Sequence, residues 1–205
     1  MFEKFTLEQF VTDAASAKPT PGGGSVAALT ASCGAALMAM LCNLTAGKKG
    51  FENFFDEMSR LAEKYSAAAK DFLADIDRDV EAFGCYMAAL RLPKDTEAQK
   101  AERAAALVAA ADVATNAPLS VAVKAEALLD DAAYILKNGN PSAVSDGVIA
   151  VRLLAAAVDA ALCNVEINLP YIKDAEKRAA VKSRADGLKK SAGQKAENIL
   201  KGIEL

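Results

Sequence analysis

Between Lys18 and Lys48 the chain carries no charged residue. After the entry Pro19-Thr20-Pro21-Gly22-Gly23-Gly24-Ser25, this stretch is built of alanine, small polar residues, leucine and methionine. A segment apolar on nearly every side is stable in water only as a helix that the rest of the fold wraps. Ser25, Ala28, Ser32, Ala35, Ala39 and Asn43 recur at three- and four-residue steps. They form a ridge of small side chains along which a neighbouring helix can approach closely. About 20 apolar residues also suffice to span a bilayer. Thr30, Ser32, Gly34 and Asn43 interrupt this run and no aromatic belt flanks it, so a buried central helix is expected.

Apolar residues make up 53% of the 205 and aromatics only 6%. Alanine fills the gap, and β-branched runs are scarce, which points to an all-α bundle of long helices in one domain, 1–205. The net charge of −3 argues against a nucleic-acid partner. Cys33, Cys42, Cys85 and Cys163 stand singly and the chain has no histidine, so neither a metal site nor a disulfide framework is expected. Met1-Phe-Glu-Lys-Phe lacks the pattern of a signal peptide, and a cytoplasmic protein is expected.

Start and stop signals divide the chain. Thr6-x-x-Gln9 reads as a capping box for a first helix ending near Ala17. Gly47-Lys48-Lys49-Gly50 ends the central helix. Apolar positions from Phe51 to Leu90 keep steps of three and four, predicting one helix over about Glu52 to Leu90, ~55–60 Å long. A rod of that length outruns one small core, so part of its apolar face is expected to meet another subunit. Thr96-x-x-Gln99 caps the next helix, which Pro118 is expected to kink or break before about Lys137. Asn138-Gly139-Asn140-Pro141 is a turn; helices over about Ser142 to Leu169 and Lys173 to Lys201 follow, the last one outermost.

Several residues carry chemistry. Gly22-x-Gly24-x-x-Ala27 matches the dinucleotide fingerprint, but no strand signal precedes it and no acid lies about 20 residues on. Two readings remain: a tight turn, or a helix N-terminus offering N–H groups to a ligand oxygen. Asp75-x-Asp77-x-Asp79 resembles a calcium loop, yet Val80 and Tyr86 occupy the glycine and glutamate positions. Asp79 lies ~60° from the centre of its helix's apolar stripe, closer than Asp75 or Asp77, and is the acid expected to face inward. It is either a structural ion pair or a carboxylate whose burial tunes it for proton transfer. Asp146 suits a helix N-terminus by itself. Asn164 and Asn168, one turn apart, need hydrogen-bond partners in an interhelical network or a ligand. Lys48 and Lys49 are either a helix cap or a contact for a carboxylate-rich tail.

Taken in order, Pro19–Ser25, Asn43-Leu-Thr-Ala-Gly-Lys-Lys, Asp79 with Phe83, Leu92-Pro-Lys, Asn140 with Ser145-Asp146, and Asn164-Val-Glu-Ile-Asn168 resemble the cyclodeaminase/cyclohydrolase family. That family comprises the C-terminal domain of formiminotransferase-cyclodeaminase and stand-alone methenyltetrahydrofolate cyclohydrolases. The likeness covers nearly the whole chain, departing at Pro141, where a second polar residue is expected. It implies an all-helical homodimer, a folate groove near the subunit interface and no metal or cofactor. The implied activity is hydrolysis of 5,10-methenyltetrahydrofolate to 10-formyltetrahydrofolate, with ammonia release from 5-formiminotetrahydrofolate as the alternative. A non-catalytic helical dimer that binds folate or a partner is the alternative of another class. By this resemblance Asp79 and Asp146 are acid–base candidates and Lys48 positions or polarises. Pro21, Gly22, Gly23, Gly24, Ser25, Asn43, Phe83, Asn140, Ser145, Asn164 and Asn168 are the substrate contacts.

Overall fold

The uncharged segment does form a helix at the centre of the molecule. The structure, a computed structural model, describes residues 4–203. Six α-helices follow in order: α1 (Leu7–Ala14), α2 (Gly23–Thr45), α3 (Phe55–Leu90), α4 (Glu97–Asn138), α5 (Val144–Asn168) and α6 (Ala175–Leu200). No strand occurs among the described residues. Helix α2 packs against α3, α4 and α5, while α6 covers α4 and α5 from outside and buries only Ala185 and Ala192.

Small residues set these distances. Ser25, Ala28, Ser32, Ala35 and Ala39 of the ridge are buried, and the Ser32 hydroxyl donates to the Ala69 carbonyl of α3 at 2.9 Å. On the opposite side, a Cβ on Gly34 would lie 3.0 Å from Leu154 Cγ and 3.1 Å from the Ala150 carbonyl, so glycine lets α5 close on α2. Asn43 departs from the ridge: it is exposed, on a shallow surface depression near Lys70. By length and apolar character α2 meets the size of a membrane span, as do stretches of α4 and of 141–171. Here α2 spends most of that apolar surface on its helical neighbours.

Both capping boxes form, Thr6 with Gln9 and Thr96 with Gln99. The long helix starts slightly later than its periodicity predicts, because Glu52–Phe54 winds as a 3₁₀ turn first. Its stretch from Met58 to Ile76 supplies core residues Met58, Leu61, Tyr65, Phe72 and Ile76; the distal part, with Phe83 and Leu90 exposed, runs out alongside α4.

Two expectations are corrected. Asp75, not Asp79, is the most buried acid of α3, at 4% exposure, and it is neutralised by Arg78 at 2.6 Å and by Lys124 from α4. Helix α4 also continues through the buried Pro118, which does not break it. Proline has no N–H for the carbonyl four residues back, here Ala114. The side-chain amide of Asn168 donates to that carbonyl at 2.8 Å, so α5 supplies the bond that α4 cannot make.

Candidate active site

The glycine turn delivers α2 with Gly22 as its N-cap and no side-chain cap of its own. Helix α3 provides the missing partner. The Ser25 hydroxyl donates to Asp79 Oδ2 at 2.7 Å, and the Ser25 main-chain N–H also favours that carboxylate. An added Cβ on Gly24 would lie 2.1 Å from Asp79 Oδ1. Close approach is therefore a requirement at residue 24, and glycine meets it.

Around this contact lies a cleft of about 350 Å³, lined by Gly22, Gly23, Gly24, Asp79, Phe83 and Asn164 among others. Regular helical spacing assembles it. Asp79, Phe83 and Tyr86 share a face of α3 at steps of four and three, as Asn164, Ile167 and Asn168 do on α5. The Asn164 amide faces Gly23, about 3.4 Å from where a Cβ would sit, and donates to its own helix at Ala160. Pro21 is buried behind the turn, after a cis peptide bond from Thr20. Burial pushes the Asp79 carboxyl above its ordinary value, and the Ser25 contacts offset part of that rise. Among the described residues no Lys or Arg forms an ion pair with Asp79. One turn back on this helix, Asp75 is paired with cations, as Asp71 is.

Several lining residues escaped the sequence reading, Tyr86, Pro118 and Tyr171 among them. Tyr86 shares the face of Asp79 and Phe83, a signal present in the spacing. Pro118 was read only as a helix breaker. Tyr171 enters through the 3₁₀ turn Leu169–Tyr171 beyond Asn168, and its ring lies 5.4 Å from that of Tyr86.

Lys48, Asn140, Ser145 and Asp146 do not join this cleft within the chain. They lie at the other end of α2, which at 23 residues sets ~34 Å between its ends. There Asn140 is buried and engaged: its N–H donates to Thr45 Oγ1 at 2.9 Å, and its side-chain oxygen accepts from Lys48 Nζ at 2.8 Å and from the Ser142 N–H at 3.1 Å. These bonds lock the α4–α5 turn onto the end of α2. Asp146 is half-buried in the first turn of α5, and Ser145 is exposed. Among the described residues no group of three Cys, Asp or Glu side chains is placed to hold a metal ion.

The formiminotransferase-cyclodeaminase family model matches residues 6–187. The chain is 36% identical over 202 residues to a methenyltetrahydrofolate cyclohydrolase of Methylorubrum extorquens, covering 97% of this chain and 96% of that one. It is 36% identical over 198 residues to the formimidoyltransferase-cyclodeaminase of Sus scrofa, of whose length it spans 37%. Among solved structures, a formiminotetrahydrofolate cyclodeaminase of Thermotoga maritima superposes with a TM-score of 0.83 at 29% identity, over 99% of both chains.

Proposed function

The chain belongs to the formiminotransferase-cyclodeaminase family, and on that premise we propose that it hydrolyses 5,10-methenyltetrahydrofolate to 10-formyltetrahydrofolate, with Asp79 as the catalytic carboxylate. One observation carries the assignment: Asp79 is a desolvated acid at the wall of a cleft, with no basic side chain paired to it among the described residues. A carboxylate in that position is costly without a counter-charge. The methenyl bridge between N5 and N10 of the substrate is an amidinium cation, which supplies the missing charge.

The chemistry then follows from the chain's own groups. Water adds to the electrophilic bridge carbon as Asp79 takes one of its protons. Asp79 returns that proton to N5, the carbon–N5 bond breaks, and the carbinol O–H loses its proton as the formyl C=O forms on N10. One proton leaves overall. Ser25 holds Asp79 in place, Gly23 and Gly24 let the pterin approach, and Asn164 offers an amide to its polar edge. The reaction needs no cofactor beyond its folate substrate, and the compartment is the cytoplasm.

The enzyme acts as a homodimer. Val26, Thr30, Cys33, Leu37, Met40 and Leu44 form an apolar stripe on α2 that is exposed or half-exposed. The stripe is symmetric about residue 35, so it suits an antiparallel pairing of two α2 helices. In that register the partner's Lys48 stands opposite Gly22, which rejoins the two sets of family residues that a single protomer keeps apart.

A second reading, cyclodeamination of 5-formiminotetrahydrofolate, uses the same carbon in the ring-closing direction and rests on the likeness to the Thermotoga structure. Loss of methenyl near-ultraviolet absorbance beyond the spontaneous rate supports the hydrolase, whereas ammonia release from the formimino substrate supports the deaminase. Ligand binding without either reaction would make the protein a binding module.

A further inference from the structure

Helices α3 and α4 run antiparallel, and charged side chains meet along their seam. Lys64 of α3 lies 2.5 Å from Asp131 of α4, and further along Lys124 of α4 meets both Asp71 and Asp75 of α3. Arg78 closes this second group from the solvent side, 2.9 Å from Asp71 and 2.6 Å from Asp75. Two acids and two bases thus make a cluster with no net charge. Asp75 is its buried member, and the Lys124 ammonium also sits over the Phe72 ring, 5.2 Å from its centre, which fixes the cation above the core. One turn on from Asp75 the pairing stops, and Asp79 has no ion-pair partner among the described residues. At its level α4 presents Ala114 and Pro118 to the cleft, α2 contributes the Ser25 hydroxyl, and α5 the amides of Asn164 and Asn168. Tyr86 and Tyr171 are the other titratable groups that line this cleft; Asp71 and Asp75 do not reach it.

We propose that Lys124 and Arg78 are positioning residues for the reaction: by neutralising Asp71 and Asp75 they leave Asp79 as the uncompensated carboxylate that the substrate cation meets. The inference rests on the amidinium reading of the cleft. Residues four apart on a helix have Cβ atoms about 6 Å apart, so Asp75 stands close enough to act on Asp79. At that range a bare carboxylate would oppose ionisation of Asp79, leaving less of the form that accepts a proton. A surplus cation would do harm of another kind, keeping Asp79 ionised but repelling the positively charged bridge. A balanced cluster meets both demands. Burial and Ser25 account for the raised pKa direction at Asp79, with no push from Asp75, as a cancelled charge requires.

Carbon-13 NMR titration of the Asp79 carboxyl, assigned by its loss in Asp79→Asn, tests this in the full-length protein without substrate. Lys124→Met leaves one negative charge in excess, with Asp75 still held by Arg78, and should raise the Asp79 midpoint by about one pH unit. Arg78→Gln, at an exposed position, makes the same change of charge and should shift it in the same direction. Asp75→Asn leaves one positive charge in excess and should lower it. In Asp75→Asn/Lys124→Met the cluster is neutral again, and the midpoint should return to the wild-type value. The acid limb of kcat/KM should follow each of these shifts. Lys64→Met breaks another ion pair across the same two helices and should move neither. Shifts of one sign in all variants, Lys64→Met included, would mean that these pairs only hold the helices together, and would overturn the proposal. Midpoints that stay at the wild-type value would overturn it too. If Lys124→Met fails to fold, Arg78→Gln and Asp75→Asn decide the matter by their opposite signs. A midpoint that moves as predicted, with no matching limb in the rate, would uphold the electrostatic coupling and contradict the catalytic reading of Asp79.

Discussion

The Asp79 carboxylate occupies the space that a side chain on Gly24 would need: a Cβ there would lie 2.1 Å from Oδ1 and 2.7 Å from Cγ. Asp79 is short, half-buried and tied to Ser25, so it cannot swing aside as a lysine tip would. Gly24→Ala should therefore displace the acid, cost about 1–3 kcal/mol of stability and abolish turnover. Gly187→Ala, with open space around the new methyl group, serves as the control. It should leave activity alone and hold or raise the melting temperature. Turnover by Gly24→Ala at the wild-type rate would show that the contact has no catalytic role.

The pH dependence of stability carries a definite sign at Asp79. Burial raises its pKa above the unfolded value of 3.8, so the folded state binds the proton more tightly. Stability from this group is fully present below the unfolded pKa and is lost as pH rises through the folded one. Asp79→Asn removes the ionisation and can still accept the Ser25 hydrogen bond. The variant should melt with wild type at about pH 3 and above it at about pH 7. A melting temperature below wild type at neutral pH would mean that the charge stabilises the fold.

The same shift governs the rate. A carboxylate that accepts a proton must be ionised first, so kcat/KM should fall on the acid side with a midpoint above the ordinary carboxylate range. Asp79→Asn should remove that limb along with most of the rate. A limb at the unperturbed carboxylate value would point to a different, solvated acid.

Asn168 and Pro118 form a unit across two helices. Asn168→Ala leaves the Ala114 carbonyl without its donor and should cost about 1–3 kcal/mol. Pro118→Ala restores a main-chain N–H to α4, so in the double variant the loss at Asn168 should shrink. Additive effects of the two substitutions would contradict the shared-carbonyl account.

The α2 stripe predicts the assembly. Met40→Glu places a charge within the proposed α2–α2 contact and should yield monomers by light scattering, with activity falling because the partner's Lys48 no longer stands opposite Gly22. A Met40→Glu dimer with full activity would move the interface elsewhere.

Much of this was legible in the residues. The two capping boxes needed only Thr6, Gln9, Thr96 and Gln99, because such caps are local. The angular position of Asp79 on a periodic helix suggested its cleft-facing side but misranked its burial against Asp75. The burial of Asp75 was not legible, because its neutralising Lys124 lies on another helix, 49 residues away. Continuity through Pro118 depended on an amide from α5, again a long-range partner. The distance of Lys48 and Asp146 from Asp79 was in principle readable, since a 23-residue helix cannot bring its two ends together. Family order along the sequence placed these residues in one site; helix length divides them between two ends of the molecule.

The measurement that bears most directly on the account is the initial rate of methenyltetrahydrofolate loss with Asp79→Asn, taken beside its melting temperature and its affinity for the substrate. A fall of about 100-fold or more, with folding intact and the substrate cation bound less tightly, is the predicted result. A folded Asp79→Asn protein that still turns over within about twofold of wild type would contradict it.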